Sequence, residues 1–185
     1  MLIDKHDANF ERLQFACKAL SKDTLTKPGL CNISIESNRI IGCDGHRVHI
    51  TKGEVLGLEP GQYSVHKCIK SQIIMELVPE SEAARYPDVD SVIPDLGDYT
   101  ETDLKPVLGD SKDTQNISVN YSIACRQGDE IRAYNMKYFA DLFGIATLDT
   151  LHSNGPTSAM VLKGTLGYSD KCEVTALLMP IRCDA

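Results

Sequence analysis

The amino-acid sequence predicts an α+β fold in which helices pack on antiparallel sheets. Apolar and polar residues alternate in short runs, such as 30–36 and 117–123, which is typical of half-buried strands. A third stretch, 10–20, instead spaces its apolar residues at helical intervals. With 185 residues, 42% of them hydrophobic, the chain is large enough to bury a sizeable core, as one large domain or two small ones.

The first 78 residues predict a lobe that contains two helices and several strands. Asn9 is a suitable N-cap for a helix over 10–20, and apolar spacing indicates a second helix over 69–77. The pair Asp44-Gly45 predicts a tight bend between strands. The expected strands cover 30–36, 39–43, 47–50 and 62–65.

Residues 79–115 are rich in Pro, Gly, Asp and Thr, and they predict a linker with at most one short helix, at 101–108. Regular patterning resumes in a second lobe, 116–185. Its expected elements are strands at 117–123, 130–134, 158–162 and 173–179 and a helix at 136–146. Strands accompany a helix at both ends of the chain, which suggests two related units.

The negative charge of the chain is concentrated in one segment. The formal net charge is −7, and residues 76–115 alone hold 11 acidic against 3 basic residues, a net of −8. The rest of the chain is therefore close to neutral. Either lobe can present a basic face to the phosphates of a nucleic acid.

The cysteines and the hydrophobic pattern indicate a cytoplasmic protein. Seven cysteines form an odd set without a Cys-x-x-Cys pair, which argues against a disulfide framework or a zinc ribbon. No apolar stretch approaches the roughly 20 residues that span a bilayer. Residues 1–10 also lack the layout of a secretory signal.

Three short patterns stand far apart in the chain and share one character. They are Cys-Asp-Gly-His-Arg-Val at 43–48, Tyr-Pro-Asp-Val-Asp-Ser-Val-Ile-Pro at 86–94 and Leu-Leu-Met-Pro-Ile-Arg at 177–182. Each places a turn former or a proline beside apolar residues, and two of them carry an arginine. They have the composition expected of the walls of one peptide-binding cleft.

In this order the three patterns resemble the bacterial DNA polymerase III beta subunit, the sliding clamp that tethers polymerases to DNA. That family carries Thr-Asp-Gly-His-Arg-Leu in its middle domain, a Phe-Pro-Asp…Val-Leu-Pro junction and a terminal Met-Pro-Met-Arg-Leu. Here Cys43 replaces the threonine, Tyr86 the phenylalanine and Ile181 the second methionine. The resemblance covers about 10–56, 86–94 and 129–183, and the family's first domain has no counterpart.

The resemblance implies a DNA-clamp-like fold and a cleft between the two lobes that binds linear motifs ending in Leu-Phe or a similar pair. It implies no enzymatic activity and no cofactor or metal. The cleft residues carried over by the resemblance are Leu30, Gly45, His46, Arg47, Val48, Pro87, Val92, Leu177, Met179, Pro180, Ile181 and Arg182.

Clamps of this family bind motifs of DNA polymerases, clamp loaders and repair proteins and assemble into rings around double-stranded DNA. For this chain the resemblance therefore implies such partners, sequence-independent DNA contact and a homo-oligomeric ring. The residues expected to face DNA phosphates are Arg12, Lys18, Lys22, Lys67, Lys70 and Lys137.

Two interpretations remain beside a DNA polymerase processivity factor of bacterial or phage origin. One is a non-encircling adaptor or decoy that keeps the cleft without tethering DNA. The other is an unrelated enzyme, which would require a metal or cofactor and an activity that depends on Asp44 or His46. Separately, the His-x-x-His spacing proposes Cys43, His46 and His49 as candidate metal ligands. In a strand, however, residues 46 and 49 point to opposite faces. The acidic residues of the junction are typical of a solvated linker.

Overall fold

Antiparallel pairing joins ten strands into one sheet that runs through both lobes. The structure is a computed structural model, and it describes residues 1–101, 105–106, 122–127, 130–143, 145–154, 157–167 and 172–181. Within these residues the sheet order is β1-β6-β5-β2-β3-β4-β13-β12-β11-β7, and β10-β9-β8 form a second, three-stranded sheet. Two α-helices accompany the sheets in the described part of the chain. The predicted α+β class, with helices packed on antiparallel sheets, is confirmed.

The strands are β1 Leu2–Asp4, β2 Asn32–Glu36, β3 Arg39–Cys43, β4 Arg47–Lys52, β5 Gly61–Ile69, β6 Gln72–Leu77, β7 Thr100–Glu101, β8 Lys105–Pro106, β9 Ser122–Gln127, β10 Glu130–Asn135, β11 Ala146–Ser153, β12 Met160–Leu166 and β13 Cys172–Leu178. The helices are α1 Phe10–Cys17 and α2 Met136–Phe143. Short 3-10 turns cover Pro28–Cys31, Asp90–Val92 and Leu96–Asp98.

Helix α1 supplies the core of the first lobe. Phe10, Leu13 and Ala16 are buried against apolar residues of β1, β2, β3, β5 and β6. Asn9 stands at the N-cap, as predicted, but its side-chain amide donates to the Leu56 carbonyl at 2.8 Å and makes no cap hydrogen bond. The helix ends three residues earlier than predicted.

The pairing of β4 with β13 joins the two lobes. Val48 lies opposite Leu177, and Arg47 lies opposite Leu178, in a continuous antiparallel register. Phe15 of α1 is fully buried and belongs to the core of the second lobe, together with Leu142 and Leu178. The lobes therefore share both a strand pair and a buried aromatic side chain.

The helix predicted over 69–77 is wrong. The chain forms a β-hairpin there: β5 pairs with β6, from Tyr63 opposite Leu77 to Ile69 opposite Gln72. Ile73 and Met75 are buried while their neighbours are more exposed, which is the period of two of a strand. The adjacent β-branched residues Ile73 and Ile74 fit a pleated strand better than a helix.

The described part of the acidic junction packs along the first lobe. Val89 is buried with Ile41 and Leu177, and the Tyr86 hydroxyl donates to the Ile41 carbonyl at 3.3 Å. Arg39 holds both carboxylate oxygens of Asp90, at 2.6 and 2.8 Å. The helix predicted at 101–108 is wrong where the structure describes it, because residues 101, 105 and 106 lie in strands.

The remaining predicted elements match with shifted bounds. The helix predicted at 136–146 ends at Phe143, and the strand predicted at 158–162 runs as β12 from Met160 to Leu166. Strand β11 was not predicted. Of the strand predicted at 117–123, residues 117–121 lie outside the described residues. Among the described residues, none of the helices has the length and hydropathy needed to cross a bilayer.

Candidate peptide-binding site

The loop between β3 and β4 forms the centre of the candidate site. The Asp44 carboxylate accepts hydrogen bonds from the backbone N–H groups of His46 and Arg47, at 2.9 and 3.0 Å. Gly45 has φ +88°, a conformation that glycine adopts without steric cost. The backbone N–H of Met179 donates to the His46 carbonyl at 2.9 Å, which fixes the loop to the end of β13.

The buried side chain of Arg47 holds this loop in place. Its guanidinium donates to Asp44 at 3.0 Å, to Asp141 of α2 at 2.8 Å and to the Lys18 carbonyl. It also lies 4.1 Å from the centre of the Tyr138 ring, which is within cation–π range. Arg47 is only 4% exposed. Because its ion-pair partners Asp44 and Asp141 belong to different lobes, Arg47 links the two lobes.

Asp141 is the anion at the centre of this network. Burial opposes its ionisation, but hydrogen bonds from Lys137 and Arg47 outweigh burial and hold the pKa of Asp141 below its ordinary value. Lys137 approaches it at 2.6 Å, and Lys18 at 3.7 Å. Asp141 therefore stays charged at neutral pH and retains all three cations.

A first pocket, called pocket A here, opens between the lobes. Its volume is about 520 Å³, and its wall is mainly apolar. The lining residues are Gly45, His46, Asn135, Tyr138, Met179, Pro180 and Ile181. Met179 and Ile181 are 45% and 42% exposed and line the same pocket, so their apolar surface is open to a ligand.

A second pocket, pocket B, lies near the Gly45 loop. Its volume is about 410 Å³, and it is lined by residues 26–30 and 84–88. The two segments approach closely, because a Cβ on Gly29 would lie 2.8 Å from the Arg85 carbonyl oxygen. A Cβ on Gly45 would lie 2.9 Å from Lys27 Nζ and 3.6 Å from Leu30 Cδ1. Gly45 therefore lines pocket A and lies close to Lys27 and Leu30 of pocket B.

The predicted cleft residues that the structure describes fall into five groups. Gly45, His46, Met179, Pro180 and Ile181 line pocket A, and Leu30 and Pro87 line pocket B. Val48 and Leu177 are buried side by side beneath the site, and Arg47 is committed inside the protein. Val92 is 55% exposed and lines neither pocket. Arg182 lies outside the described residues.

Asn135 and Tyr138 were not predicted as site residues. Asn135 is the last residue of β10, and Tyr138 lies three positions later in the first turn of α2. The Asn135 side chain accepts from the backbone N–H of Lys137 at 3.0 Å. Periodicity identified the helix but not which of its residues face a pocket. Lys27 and Arg85 of pocket B were also not predicted, because an isolated cation in a loop is indistinguishable from a solubilising group.

Arg12 does not lie on an open face, contrary to the prediction. It is 7% exposed, and its guanidinium donates to the carbonyls of Gly53 and Glu54 at 2.8 and 2.7 Å. Burial lowers its pKa. A phosphate cannot reach a guanidinium that is enclosed in this way.

The five lysines of the predicted DNA-facing set are exposed but lie on different elements. Lys18 and Lys137 share Asp141, so their charge is partly neutralised. Lys67 and Lys70 belong to the β5–β6 hairpin and its turn, where a helix had been predicted. Lys22 follows α1 and is exposed. The helical arrangement that suggested a phosphate-tracking face is therefore absent for Lys67 and Lys70.

The candidate metal ligands do not converge. His46 is exposed on the loop, whereas His49 is fully buried with its ring stacked on Phe15 at 4.5 Å. His49 Nδ1 lies 2.8 Å from the Phe15 carbonyl oxygen, and burial lowers the pKa of His49 to about 4. The imidazole is therefore neutral at pH 7 and donates through Nδ1.

The continuous sheet and the helices packed on it match the fold of solved DNA sliding clamps. Among the similar solved structures is the DNA polymerase III subunit beta from Borrelia burgdorferi, in complex with a natural product, with a TM-score of 0.58 and 16% identity over the whole chain. The beta subunit from Thermotoga maritima matches 98% of the chain with a TM-score of 0.58 and 13% identity. A sliding clamp from Bartonella birtlesii, bound to griselimycin, matches with a TM-score of 0.53 and 15% identity.

The likeness shows that the chain has the clamp fold predicted from its three motifs. The chain spans less than two thirds of these structures, 64% of the Borrelia chain and 65% of the other two. No protein-family model matches the sequence, and no curated protein matches it.

Proposed function

We propose that this protein is a sliding-clamp-like, non-enzymatic processivity factor of a DNA polymerase, and that it binds clamp-interacting peptide motifs in pockets A and B. The observation that carries the proposal is the composition of pocket A. Residues from two distant motifs, Gly45-His46 and Met179-Pro180-Ile181, line one apolar cavity between the lobes. The chain has the fold of proteins that carry these motifs in the same order.

The chemistry of the site suits an extended apolar motif. A Leu or Phe side chain gains about 1.5–3 kcal/mol when it leaves water for an apolar cavity. Met179 adapts its shape to different side chains, and Pro180 presents a rigid rim. Two neighbouring pockets, both close to Gly45, suit two side chains of one strand-like ligand.

The proposed partners are motifs of polymerases, clamp loaders or repair proteins in the cytoplasm of a bacterium or a phage-infected host. The proposal includes a homo-oligomeric ring and sequence-independent contact with double-stranded DNA. Several clefts on one ring would raise the effective concentration of a tethered partner. It includes no cofactor and no metal.

The second candidate is an adaptor or decoy that binds the same motifs without encircling DNA. The positions of the predicted DNA-facing residues favour it. Arg12 is buried, and Lys18 and Lys137 are paired with Asp141. The cations available to phosphates are therefore fewer than the sequence suggested.

The test of the peptide site is direct binding of a fluorescent, amidated peptide that contains a Leu-Phe pair. We expect Met179→Ala to weaken binding about tenfold, because it removes an apolar wall worth about 1.4 kcal/mol or more. Val92→Ala is the matched control, since Val92 is apolar, exposed and outside both pockets. Fluorescence anisotropy measures both affinities.

The control variant should bind like the parent. Equal affinity of Met179→Ala and the parent, or no binding of any Leu-Phe peptide by the parent, would show that pocket A is not the site.

A further inference from the structure

Two cysteine thiols meet where α1 packs on the β5–β6 hairpin. Cys17 is the last residue of α1, and Cys68 lies near the end of β5. Both side chains are half-buried and pack against the apolar core of the first lobe. Both thiols are free, and the Cys17 thiol donates a hydrogen bond to the sulfur of Cys68.

The packing of the helix on the hairpin places the two thiols together. Cys68 lies opposite Ile73 in the hairpin, and Ile73 is fully buried in the core that α1 covers. Directly opposite residues of an antiparallel pair share one face of the sheet, so Cys68 lies on the side of the helix. The Gln14 side-chain amide lies 3.5 Å from the Ile69 carbonyl oxygen. Gln14 and Cys17 are three residues apart and share one side of α1, so this contact brings Cys17 to the same end of β5.

The two thiols differ in how readily they ionise. The hydrogen bond from Cys17 lowers the pKa of Cys68, although burial opposes this effect, and the positive charge of Lys18 also lowers it. The same hydrogen bond and burial raise the pKa of Cys17. Because the thiolate is the nucleophile in thiol chemistry, Cys68 is the thiol that reacts first with an oxidant, and Cys17 is placed to react with the product.

The half-buried cysteines elsewhere in the described part of the chain have different surroundings. Cys31 Sγ donates to the carbonyls of Asp23 and Lys27, at 3.4 and 3.5 Å. Cys172 Sγ donates to the Lys52 carbonyl at 2.9 Å. Burial raises the pKa of both thiols. They therefore serve as controls for a cysteine of similar burial that is hydrogen-bonded to carbonyl oxygens.

We propose that Cys17 and Cys68 are a site of reversible oxidation, at which hydrogen peroxide converts the two thiols into a disulfide that ties α1 to the hairpin. The Cys68 thiolate attacks a peroxide oxygen, the O–O bond breaks, and hydroxide leaves. The Cys17 sulfur then attacks the sulfur of the Cys68 sulfenic acid, the S–O bond breaks, and the hydroxyl group leaves with the Cys17 proton as water. Together the two thiols lose two electrons and two protons, and one peroxide becomes two waters.

The disulfide has a predictable effect on stability. It closes the chain from residue 17 to residue 68 into a loop, and such a link restricts the unfolded chain more than the folded one. We expect oxidation to raise the midpoint of thermal unfolding by about 5–10 °C, and reduction with dithiothreitol to reverse the shift. The inference is independent of the proposed function, because it requires neither a peptide nor DNA.

The experiment treats the full chain with increasing hydrogen peroxide, blocks the remaining thiols with N-ethylmaleimide and digests the protein with trypsin without a reductant. Trypsin cuts after Lys and Arg, so Cys17 lies in peptide 13–18 and Cys68 in peptide 68–70. Mass spectrometry should find these two peptides joined at a lower peroxide concentration than oxidises Cys31 or Cys172. Dithiothreitol should release them.

Single substitutions then separate the roles of the two thiols. In Cys17→Ser the sulfenic acid at Cys68 loses its partner, so dimedone should trap it. In Cys68→Ser, Cys17 should react with peroxide about tenfold or more slowly than Cys68 does in Cys17→Ser. Cys31→Ser is the matched control and should form the disulfide like the parent.

The parent protein alone can overturn the inference, even if a cysteine variant fails to fold. If peptides 13–18 and 68–70 stay unlinked until the other cysteines are oxidised, or join other cysteines instead, the pair is not an oxidation site. An unchanged unfolding midpoint in a fully linked sample would contradict the tie between α1 and the hairpin. Equal reactivity of Cys17 and Cys68 in the two variants would contradict the assigned roles.

Discussion

Arg12 and Arg47 were both predicted to meet ligands, and both are buried. Arg12 binds the carbonyls of Gly53 and Glu54, and Arg47 binds Asp44 and Asp141. A buried arginine must have its donors satisfied, because an unpaired buried charge costs several kcal/mol. The sequence shows that an arginine is present but not which carboxylates or carbonyls the fold brings to it.

His49 gives a prediction at the residue scale. Its pKa is about 4 in the folded protein and near 6.5 when unfolded, so between these values only the unfolded chain binds the extra proton. The free energy of unfolding should therefore fall as pH is lowered, by about 2 kcal/mol between about pH 7.5 and pH 5. Urea denaturation at the two pH values measures it.

His49→Phe is the control for this prediction. It keeps an aromatic ring beside Phe15 and removes the titration, and the Phe15 carbonyl still accepts from the backbone N–H of Lys18. Between the same two pH values, the free energy of unfolding of the variant should fall by about 2 kcal/mol less than that of the parent. If the parent and His49→Phe respond to pH in parallel, protonation of His49 is not the cause.

Among the structural elements, the Gly45 loop should affect both the stability of the protein and the proposed peptide binding. Gly45→Ala should lower stability by about 1–2 kcal/mol, because φ +88° is strained for any residue with a Cβ. The new Cβ would also lie 2.9 Å from Lys27 Nζ, so the loop or the Lys27 side chain must shift. We expect peptide affinity to fall about fivefold or more.

Gly57→Ala is the matched control, since Gly57 has φ +70° and no atom within 4 Å of its added Cβ. Thermal unfolding and peptide anisotropy measure both variants. We expect similar losses of stability and a loss of affinity only in Gly45→Ala. An equal affinity loss in both variants would mean that the effect is general destabilisation.

The elements also show what sequence patterns can predict. The bend at Asp44-Gly45 and the strands beside it were predictable, because a turn pair interrupts clear apolar runs. Residues 69–77, which form the end of β5, the turn and strand β6, were mistaken for a helix, since Ile69, Ile73 and Leu77 stand four residues apart, a spacing that fits a helix and one face of a strand. Pocket A followed from motif resemblance, whereas Tyr138 and Lys27 become recognisable only once the β4–β13 pairing and the packed junction bring them to the site.

At the scale of the whole molecule, the ends of the ten-stranded sheet bear on ring formation. In the described residues, β1 and β7 are its edge strands, and their outer backbone groups are open to pairing with a second copy. Head-to-tail contacts of this kind close into rings when the rotation permits. The processivity proposal therefore predicts a closed trimer of about 61 kDa, three times 20.4 kDa, or a hexamer.

Light scattering near physiological salt, over a range of protein concentrations, measures the mass. A closed trimer or hexamer together with salt-sensitive DNA binding agrees with a clamp. A persistent monomer, or a dimer too small to close, would contradict the ring and leave the adaptor as the function.

Phe15 has a consequence for how a ligand enters. Because this side chain of the first lobe is buried in the core of the second, and β4 pairs with β13, a hinge between the lobes would have to break a packed interior. Pocket A therefore cannot gain or lose shape by domain closure. At the proposed peptide site the backbone is therefore preorganised, so most of the conformational entropy cost of association falls on the ligand and on side chains such as Met179. A flexible tail that meets such a surface forms the complex in one bimolecular step, and the lifetime of that complex depends on the quality of its anchors.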